Sequence, residues 1–295
     1  MYKLIAIDID GTLLNSKGEL TEKTKQVLKE ASKQGIYIVL TSGRLTEKVK
    51  GFSEEIGANQ YLIAENGASV INLQTGNLEY SKYMSKEVVN KVLDVCQENN
   101  IYYMVYTNKE LIVKNMKYMT MFFHKQNFNP NARINIIIAG RDYIENTKDH
   151  FTKLMICDED RAIYNNIVAR LNEISEIDVT PVPHISRKKL QIDGEEQEIV
   201  YSYADIAASG ANKWYAIQEI IQKLGVLPSE VIAIGDNMND IKMIENAGLG
   251  VAMENGSPHV RAIADVVAPS NNEDGVAYVV EKYALRKQKE NVVMS

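Results

Sequence analysis

Cysteine is scarce in this sequence, and so are the other residues that would announce a metal or redox centre. The two cysteines, Cys96 and Cys157, lie inside the apolar stretches Val95-Cys96 and Met155-Ile156-Cys157, with no metal-ligand spacing. A disulfide framework is not expected, and both read as buried thiols of a reducing compartment. His124, His150, His184 and His259 lack partners at ligand spacing and read as surface or capping residues. No segment approaches the roughly 18 uncharged apolar residues of a membrane-spanning helix. The opening Met1-Tyr2-Lys3-Leu4-Ile5-Ala6-Ile7 is short for a signal peptide and meets acidic residues at once, so the expected location is cytoplasmic. Basic excess is missing as well. Thirty-three Lys and Arg stand against 39 Asp and Glu, for a net charge of −6, without a basic cluster. Neither nucleic acid nor an acidic membrane is therefore an expected partner. Internal repeats and low-complexity tracts are absent too.

What is present is a two-domain length, 295 residues, with 45% hydrophobic residues to build ordinary cores. Leu4–Ile7, Ile36–Leu40 and Tyr61–Ala64 read as short buried strands. Between them lie helices, one capped by Thr21 and stopped by Gly35, the next spaced by Val49, Phe52 and Ile56 and stopped by Gly57. Strands alternating with helices imply βαβ units and a parallel sheet. The pattern changes near residue 82. A helix capped by Ser85, a hairpin turning at Thr107–Glu110, strands at 134–139 and 154–157 and a helix at 162–171 read as an inserted α+β unit. Met116, Met119, Met121, Phe122 and Phe123 are expected on a helix of that unit, packing in its core. Residues 180–197 read as an exposed loop or hairpin, with Arg187 to Glu198 as a solvated hairpin. Alternation is expected to resume near Ile199, with a helix from Asn212 or Lys213, a strand at 231–234 and a helix capped by Asp236. A strand at 250–252, a helix starting at Ser257-Pro258 and a strand at 265–268 follow. The expected fold is α/β: a Rossmann-like doubly wound parallel-sheet core from residues 1–82 and 200–295, with a large inserted α+β cap at 83–199.

In a parallel sheet ligands bind beyond the carboxyl ends of the strands. Four polar clusters lie there: Asp8/Asp10, Thr41/Ser42, the Lys213 region and Asp236/Asp240. Any one alone is a turn or a cap, whereas four on one rim point to chemistry. Asp8, Asp10 and Asp236 would crowd three carboxylates together, a cluster that calls for a compensating cation. Mg²⁺ suits all-oxygen donors and sits beside phosphate. Lys213 adds a fixed positive charge, and Thr41 or Ser42 a hydroxyl and backbone donors for phosphate oxygens, which together offset the repulsion between a nucleophile and a phosphate dianion. Asp8, first off the strand, is the candidate nucleophile for an acyl-phosphate. Asp10, two residues on and on the same side of an extended backbone, is the candidate acid/base. Asp236 would hold the metal, while Asn239 and Asp240 would orient metal-bound water or brace Lys213.

Asp8-Ile9-Asp10-Gly11-Thr12 resembles the first motif of the haloacid-dehalogenase (HAD) superfamily in its two-aspartate phosphatase form. Leu40-Thr41-Ser42-Gly43-Arg44 resembles the second, Lys213 the third, and Gly235-Asp236-Asn237-Met238-Asn239-Asp240 the fourth. The insertion, Glu65-Asn66-Gly67-Ala68 and Asn271-Asn272-Glu273-Asp274-Gly275-Val276 are similar to the Cof-type branch with its large (class IIB) cap. The resemblance implies a cytoplasmic, Mg²⁺-dependent phosphatase of small phosphorylated metabolites. Asp8 would be nucleophile and metal ligand, Asp10 acid/base and ligand through its carbonyl, and Asp236 the remaining ligand. Thr41, Ser42 and Lys213 would hold phosphate, with Asn239 and Asp240 in support. Arg44 and Asn66 would contact the leaving group or the cap, a surface ion pair being the alternative for Arg44. Sugar phosphates lead as substrates, with flavin or pyridoxal phosphate or their precursors, a phosphomutase and a catalytically silent metabolite-binding protein as other readings. The chain would act as a monomer or homodimer. Trp214 stands where the family commonly has glycine, and Ala207-Ala208 where a proline is frequent.

Overall fold

The structure is a computed structural model, which describes all residues except 45, 59, 116–134, 182–185, 193–194 and 286–295. The chain divides into two compact units, Met1–Glu79 with Lys213–Ser295, and Tyr80–Asn212.

The chain runs through β1 (Leu4–Asp8), β2 (Tyr37–Thr41), β3 (Tyr61–Ala64), β4 (Ser69–Asn72) and β5 (Leu78–Ser81). It continues through β6 (Tyr102–Thr107), β7 (Glu110–Val113), β8 (Asn135–Ile138), β9 (Phe151–Asp158), β10 (Ile177–Pro181), β11 (Ser186–Ile192) and β12 (Glu195–Ala208). It closes with β13 (Val231–Gly235), β14 (Leu249–Met253) and β15 (Val266–Ala268). Among the described residues the first unit holds one sheet in the order β15-β14-β13-β1-β2-β3-β4-β5. Its strands pair in parallel from β15 to β3, and β4 turns back antiparallel on β3. The α/β fold expected from the alternation is present, with an antiparallel edge that the sequence reading omitted. Residues 69–72 and 78–81 are short and half polar, and carry no strand periodicity of their own.

Side-chain parity in β1 places the chemistry. Ile5 and Ile7 join a core with Ile38, Leu40, Ile232 and Ile234, packed by the helices Glu22–Lys33 and Thr46–Ile56. Because successive side chains alternate, Leu4, Ala6 and Asp8 face the opposite layer. That layer is covered by the helix Lys213–Leu224, which contacts the helix Ile241–Asn246. The local signals for these elements are real caps: the side chains of Thr21 and Ser257 accept from Thr24 and Val260 N–H.

The second unit is a twisted antiparallel-dominated sheet, ordered β10-β12-β9-β6-β7-β8 with β11 on β12. Val92, Leu93 and Cys96 lie buried on the helix Lys86–Glu98, capped by Ser85 as expected, and Ile167 and Leu171 on the helix Arg161–Leu171. One sequence expectation needs correction here. The return to βαβ alternation comes after Asn212 rather than near Ile199, because β12 is one long strand, paired with β9, β10 and β11. The hairpin expected at Arg187 to Glu198 agrees with the antiparallel pairing of β11 and β12, which runs from Ser186 opposite Tyr201 to Ile192 opposite Glu195. The methionine and phenylalanine run at 116–123, with His124 and His184, lies outside the described residues. Both cysteines are buried and neither is in a disulfide, His150 stacks on Tyr83, and no helix among the described residues is long and apolar enough to cross a membrane.

Close packing of β14 against the helix Ile241–Asn246 leaves no room at Gly250, where an added Cβ would lie 2.1 Å from the Ile244 carbonyl oxygen. Gly250→Ala is expected to destabilise the fold by about 1–3 kcal/mol through forced backbone shifts. Urea unfolding checks this, and an unchanged midpoint would show that the layer yields.

Candidate active site

Asp8 ends β1 at the centre of the sheet and is buried with Lys213 and Asp240. Lys213 opens its helix, and its ammonium donates to Asp8 Oδ1 and, at 2.6 Å, to Asp240 Oδ1. The other Asp240 oxygen accepts the backbone N–H groups of Asp236 and Asn237, each at 3.0 Å. Both oxygens of Asp240 are thus spent on holding the lysine and the 236–237 loop. Gly235 permits this approach, since a Cβ there would fall 2.5 Å from Asp240 Cγ.

Asp8, Asp236 and Asp240 each offer a carboxylate oxygen within 4.8 Å of the others. Burial raises the Asp8 pKa well above the ordinary value; Lys213 pulls it down, and Asp240 and Asp236 push it up again. Asp236 is pushed up to about 6, by burial first and then by Asp240. For Lys213, burial acts downward, but Asp240 and Asp8 outweigh it and the ammonium is held charged. Three carboxylates around one ammonium leave an excess of negative charge in a buried site, which a hard cation relieves. With Asp240 occupied, Asp8 and Asp236 are the carboxylates left to bind such an ion, and an all-oxygen donor set of this kind fits Mg²⁺.

Four sequence expectations come out differently in geometry. Asp236 does not cap the following helix. The side chain of Asn237 accepts from Met238 N–H, and the Asp236 carboxylate instead accepts from Thr12 Oγ1 at 2.8 Å. Asp10 is not on an extended continuation of β1. The backbone turns, with Leu13 and Leu14 N–H donating to the Asp8 and Ile9 carbonyls, and the Asp10 carboxylate leaves the buried group. It lies 57% exposed in a forked ion pair with Arg44, whose Nε donates at 2.7 Å. Arg44 is therefore in the ion pair that stood as its alternative. Thr41, in register with Asp8, turns its hydroxyl to Met243 Sδ at 3.8 Å and is fully buried. Ser42 stays at the strand end, its Oγ accepting Arg44 N–H.

Asn66 and Asn239 meet, the Asn239 amide donating to Asn66 Oδ1 at 2.9 Å. Asn66 N–H also donates to the Ser42 carbonyl, and Glu65 N–H to that of Arg44. Glu65, Asn66 and Gly67 all adopt positive φ, a strained run that tightens this loop against Gly43. Two residues went unassigned from sequence: Thr12, already inside the first aspartate motif, and Asn255, which donates to the Gly11 carbonyl and accepts Asn271 N–H. Asn271 in turn donates to the Leu14 carbonyl, so the Asn271–Gly275 stretch braces the turn after Asp8. Only its chain position, remote from every aspartate motif, hid this role. Trp214, beside Lys213, is simply buried in its helix.

The model of the haloacid dehalogenase-like hydrolase family matches residues 5–280. The chain belongs to that family. Its relatives include YxeH of Bacillus subtilis (strain 168), 33% identical over 97% of this chain and 100% of that protein. The 5-amino-6-(5-phospho-D-ribitylamino)uracil phosphatase YcsE of the same organism is 28% identical, covering 96% of each chain. A crystal structure of a haloacid dehalogenase-like hydrolase from Bacteroides thetaiotaomicron superposes with a TM-score of 0.74 at 27% identity, over 95% of this chain and 99% of that one.

For this haloacid dehalogenase-like hydrolase the crowding at Asp236 has a measurable sign. A carboxyl group whose pKa rises from 3.8 unfolded to about 6 folded opposes folding once both states are ionised. In metal-free protein, Asp236→Asn is expected to raise stability by about 1–3 kcal/mol above pH 6, and to have little effect below pH 4. Chemical denaturation at both ends of that window checks it; a variant less stable than the parent at pH 8 would contradict the crowding.

Proposed function

We propose that this chain is a Mg²⁺-dependent phosphatase of small phosphate monoesters, sugar phosphates first, acting through an aspartyl-phosphate on Asp8. The observation that carries the reading is the buried Asp8 carboxylate at a strand end, with the Lys213 ammonium on one oxygen and Asp236 alongside. Asp8 attacks phosphorus; the bond to the ester oxygen breaks, and Asp10, released from Arg44, supplies a proton to the departing alcohol. Asp10 then takes a proton from the water that attacks the same phosphorus, freeing phosphate and restoring Asp8. Lys213 and the Ser42 hydroxyl hold the phosphate oxygens, and Asp240 keeps Lys213 in place. Asp8, Asp236 and the Asp10 carbonyl would hold the Mg²⁺, which when bound neutralises charge on the phosphate and the carboxylates. In the same reading the first unit performs the catalysis and the second selects the alcohol.

A second reading, a flavin-precursor phosphatase, is favoured by the relation to YcsE. The two readings share a phosphorylated polyol or sugar as the alcohol, and differ in whether a heterocycle is attached.

Phosphate release is measured on a panel of sugar phosphates, ribityl phosphates and phosphorylated cofactors, with Mg²⁺ and after chelation. Metal-dependent release from sugar or ribityl members is the expected outcome. Interconversion of isomers without release would point to a mutase, and no turnover by folded protein to a binding role. Asp8→Asn should lower kcat at least about 1,000-fold while keeping the native circular dichroism, because it relieves like-charge repulsion and Asp240 still pairs Lys213. Turnover near the parent rate would remove Asp8 as the nucleophile. Mg²⁺ should also raise the melting temperature of the parent, and do so less in Asp236→Asn.

A further inference from the structure

The turn that follows Asp8 has a weak point at Gly11. Its φ is +86°, and a Cβ there would fall 2.5 Å from Asp236 Oδ2, so only glycine fits against that carboxylate. The same lack of a side chain gives the flanking peptides more rotational freedom than any other residue would. Two bonds close the turn on its own chain, from Leu13 N–H to the Asp8 carbonyl at 3.1 Å and from Leu14 N–H to that of Ile9 at 3.0 Å. Neither restrains the Gly11 carbonyl. Asp10, one residue earlier, carries its carboxylate outward to the ion pair with Arg44.

The Gly11 carbonyl is held from outside, by the side chain of Asn255 at 2.8 Å. Asn255 is exposed and lies in the turn after β14, which Gly256 N–H closes on the Met253 carbonyl. A turn of this kind accepts most residues at that position, so folding of the loop does not call for asparagine. Yet both ends of the amide reach distant segments: Nδ2 donates to Gly11, and Oδ1 accepts Asn271 N–H at 2.9 Å. The orientation is fixed, because a flipped amide would set oxygen against the Gly11 carbonyl and NH2 against the Asn271 N–H. The same loop is anchored to Asp236, whose carbonyl accepts Ser257 N–H at 2.9 Å, while Thr12 donates to the Asp236 carboxylate. Gly11, Thr12, Asp236 and the 255–257 loop thus close a ring of contacts in which Asn255 supplies the link to the Gly11 carbonyl.

We propose that Asn255 is a positioning residue for Asp10: by fixing the Gly11 peptide it sets where the Asp10 carboxylate stands when it protonates the departing alcohol. The catalytic role rests on the function proposed above; the bracing of the turn stands without it. Released from Asn255, the Gly11 peptide rotates and Asp10 loses its alignment with the ester oxygen, whereas Asp8, buried on Lys213, keeps its place. A misplacement of about 1 Å can cost about a hundredfold in rate. That loss falls on esters whose leaving oxygen needs a proton: a sugar alkoxide does, and p-nitrophenolate does not.

The test compares the parent with Asn255→Ala and Asn255→Asp in the hydrolysis of glucose 6-phosphate, ribitol 5-phosphate and p-nitrophenyl phosphate. Alanine removes the amide; aspartate keeps the acceptor for Asn271 and removes the donor to Gly11. Asn255 is exposed, so neither change disturbs the core. In both variants kcat/KM for the better alkyl phosphate should fall about 10- to 100-fold, and that for p-nitrophenyl phosphate less than about threefold. Equal losses on the two kinds of ester, or no loss on either, would overturn the positioning role. Hydrogen exchange of the metal-free proteins gives a readout that needs no turnover. The Leu13 and Leu14 amides should exchange at least about tenfold faster in both variants, with exchange in β13 unchanged. Unaltered exchange in the turn would overturn the brace itself. A parent that releases no phosphate from any of the three esters would sink the phosphatase reading and the catalytic role with it, while faster exchange at Leu13 and Leu14 would still uphold the brace.

Discussion

The fold has to keep one buried ammonium surrounded by more negative charge than it can neutralise. Lys213 has no exposure to solvent and touches Asp8 and Asp240, with Asp236 a few ångströms further on. Leaving such a buried charge without any partner typically costs about 3–5 kcal/mol, so the strand ends and helix starts that deliver these side chains are tied to one another. Gly235 must lack a side chain for Asp240 to approach, and Asp240 must accept from the 236–237 backbone to be fixed. The parity of β1 must send Asp8, and not Ile7, toward the Lys213 helix. In the proposed function this residual negative charge is what would draw in a hard cation and, through it, a phosphate ester.

Around this group lies a second, more exposed tier. Arg44 forks onto Asp10, the Arg44 carbonyl accepts from Glu65, Asn66 reaches Ser42 and Asn239, and Asn255 and Asn271 hold the turn that carries Asp10. Loops from six strand ends, those of β1, β2, β3, β13, β14 and β15, are thereby stitched together by side-chain amides and backbone groups. In the proposed mechanism the exposed Asp10, held by Arg44, can exchange that partner for substrate, whereas the buried Asp8 cannot move. This division suits a reaction whose nucleophile must be fixed while its proton carrier serves two steps.

Much of this was legible in the sequence, for a definite reason. A parallel sheet delivers whatever follows each strand to one rim, so the order Asp8, Ser42, Lys213, Asp236 and Asp240 already implied a site. The hydrophobic runs and the caps at Thr21, Ser85 and Ser257 marked the elements. Details governed by a single turn were not legible. Asp10 depends on the 9–14 backbone bending back on Asp8, and Thr41 on whether register with Asp8 points it to the rim or to Met243. Asn237 rather than Asp236 took the cap, because Asp236 was claimed by Thr12 more than two hundred residues away in sequence.

In the proposed mechanism Asp8 is the nucleophile, and that role leaves a chemical trace. A phosphorylated aspartate is an acyl-phosphate, which borohydride reduces to homoserine. The direct measurement is acid quench of the enzyme during turnover of its best phosphate ester with Mg²⁺, followed by borohydride reduction and tandem mass spectrometry of the amino-terminal peptide. Substrate-dependent homoserine at position 8, with Asp10 and Asp236 intact, is the predicted result. Active enzyme in which position 8 stays aspartate while another residue carries the label would contradict the mechanism drawn from the buried Asp8–Lys213 pair.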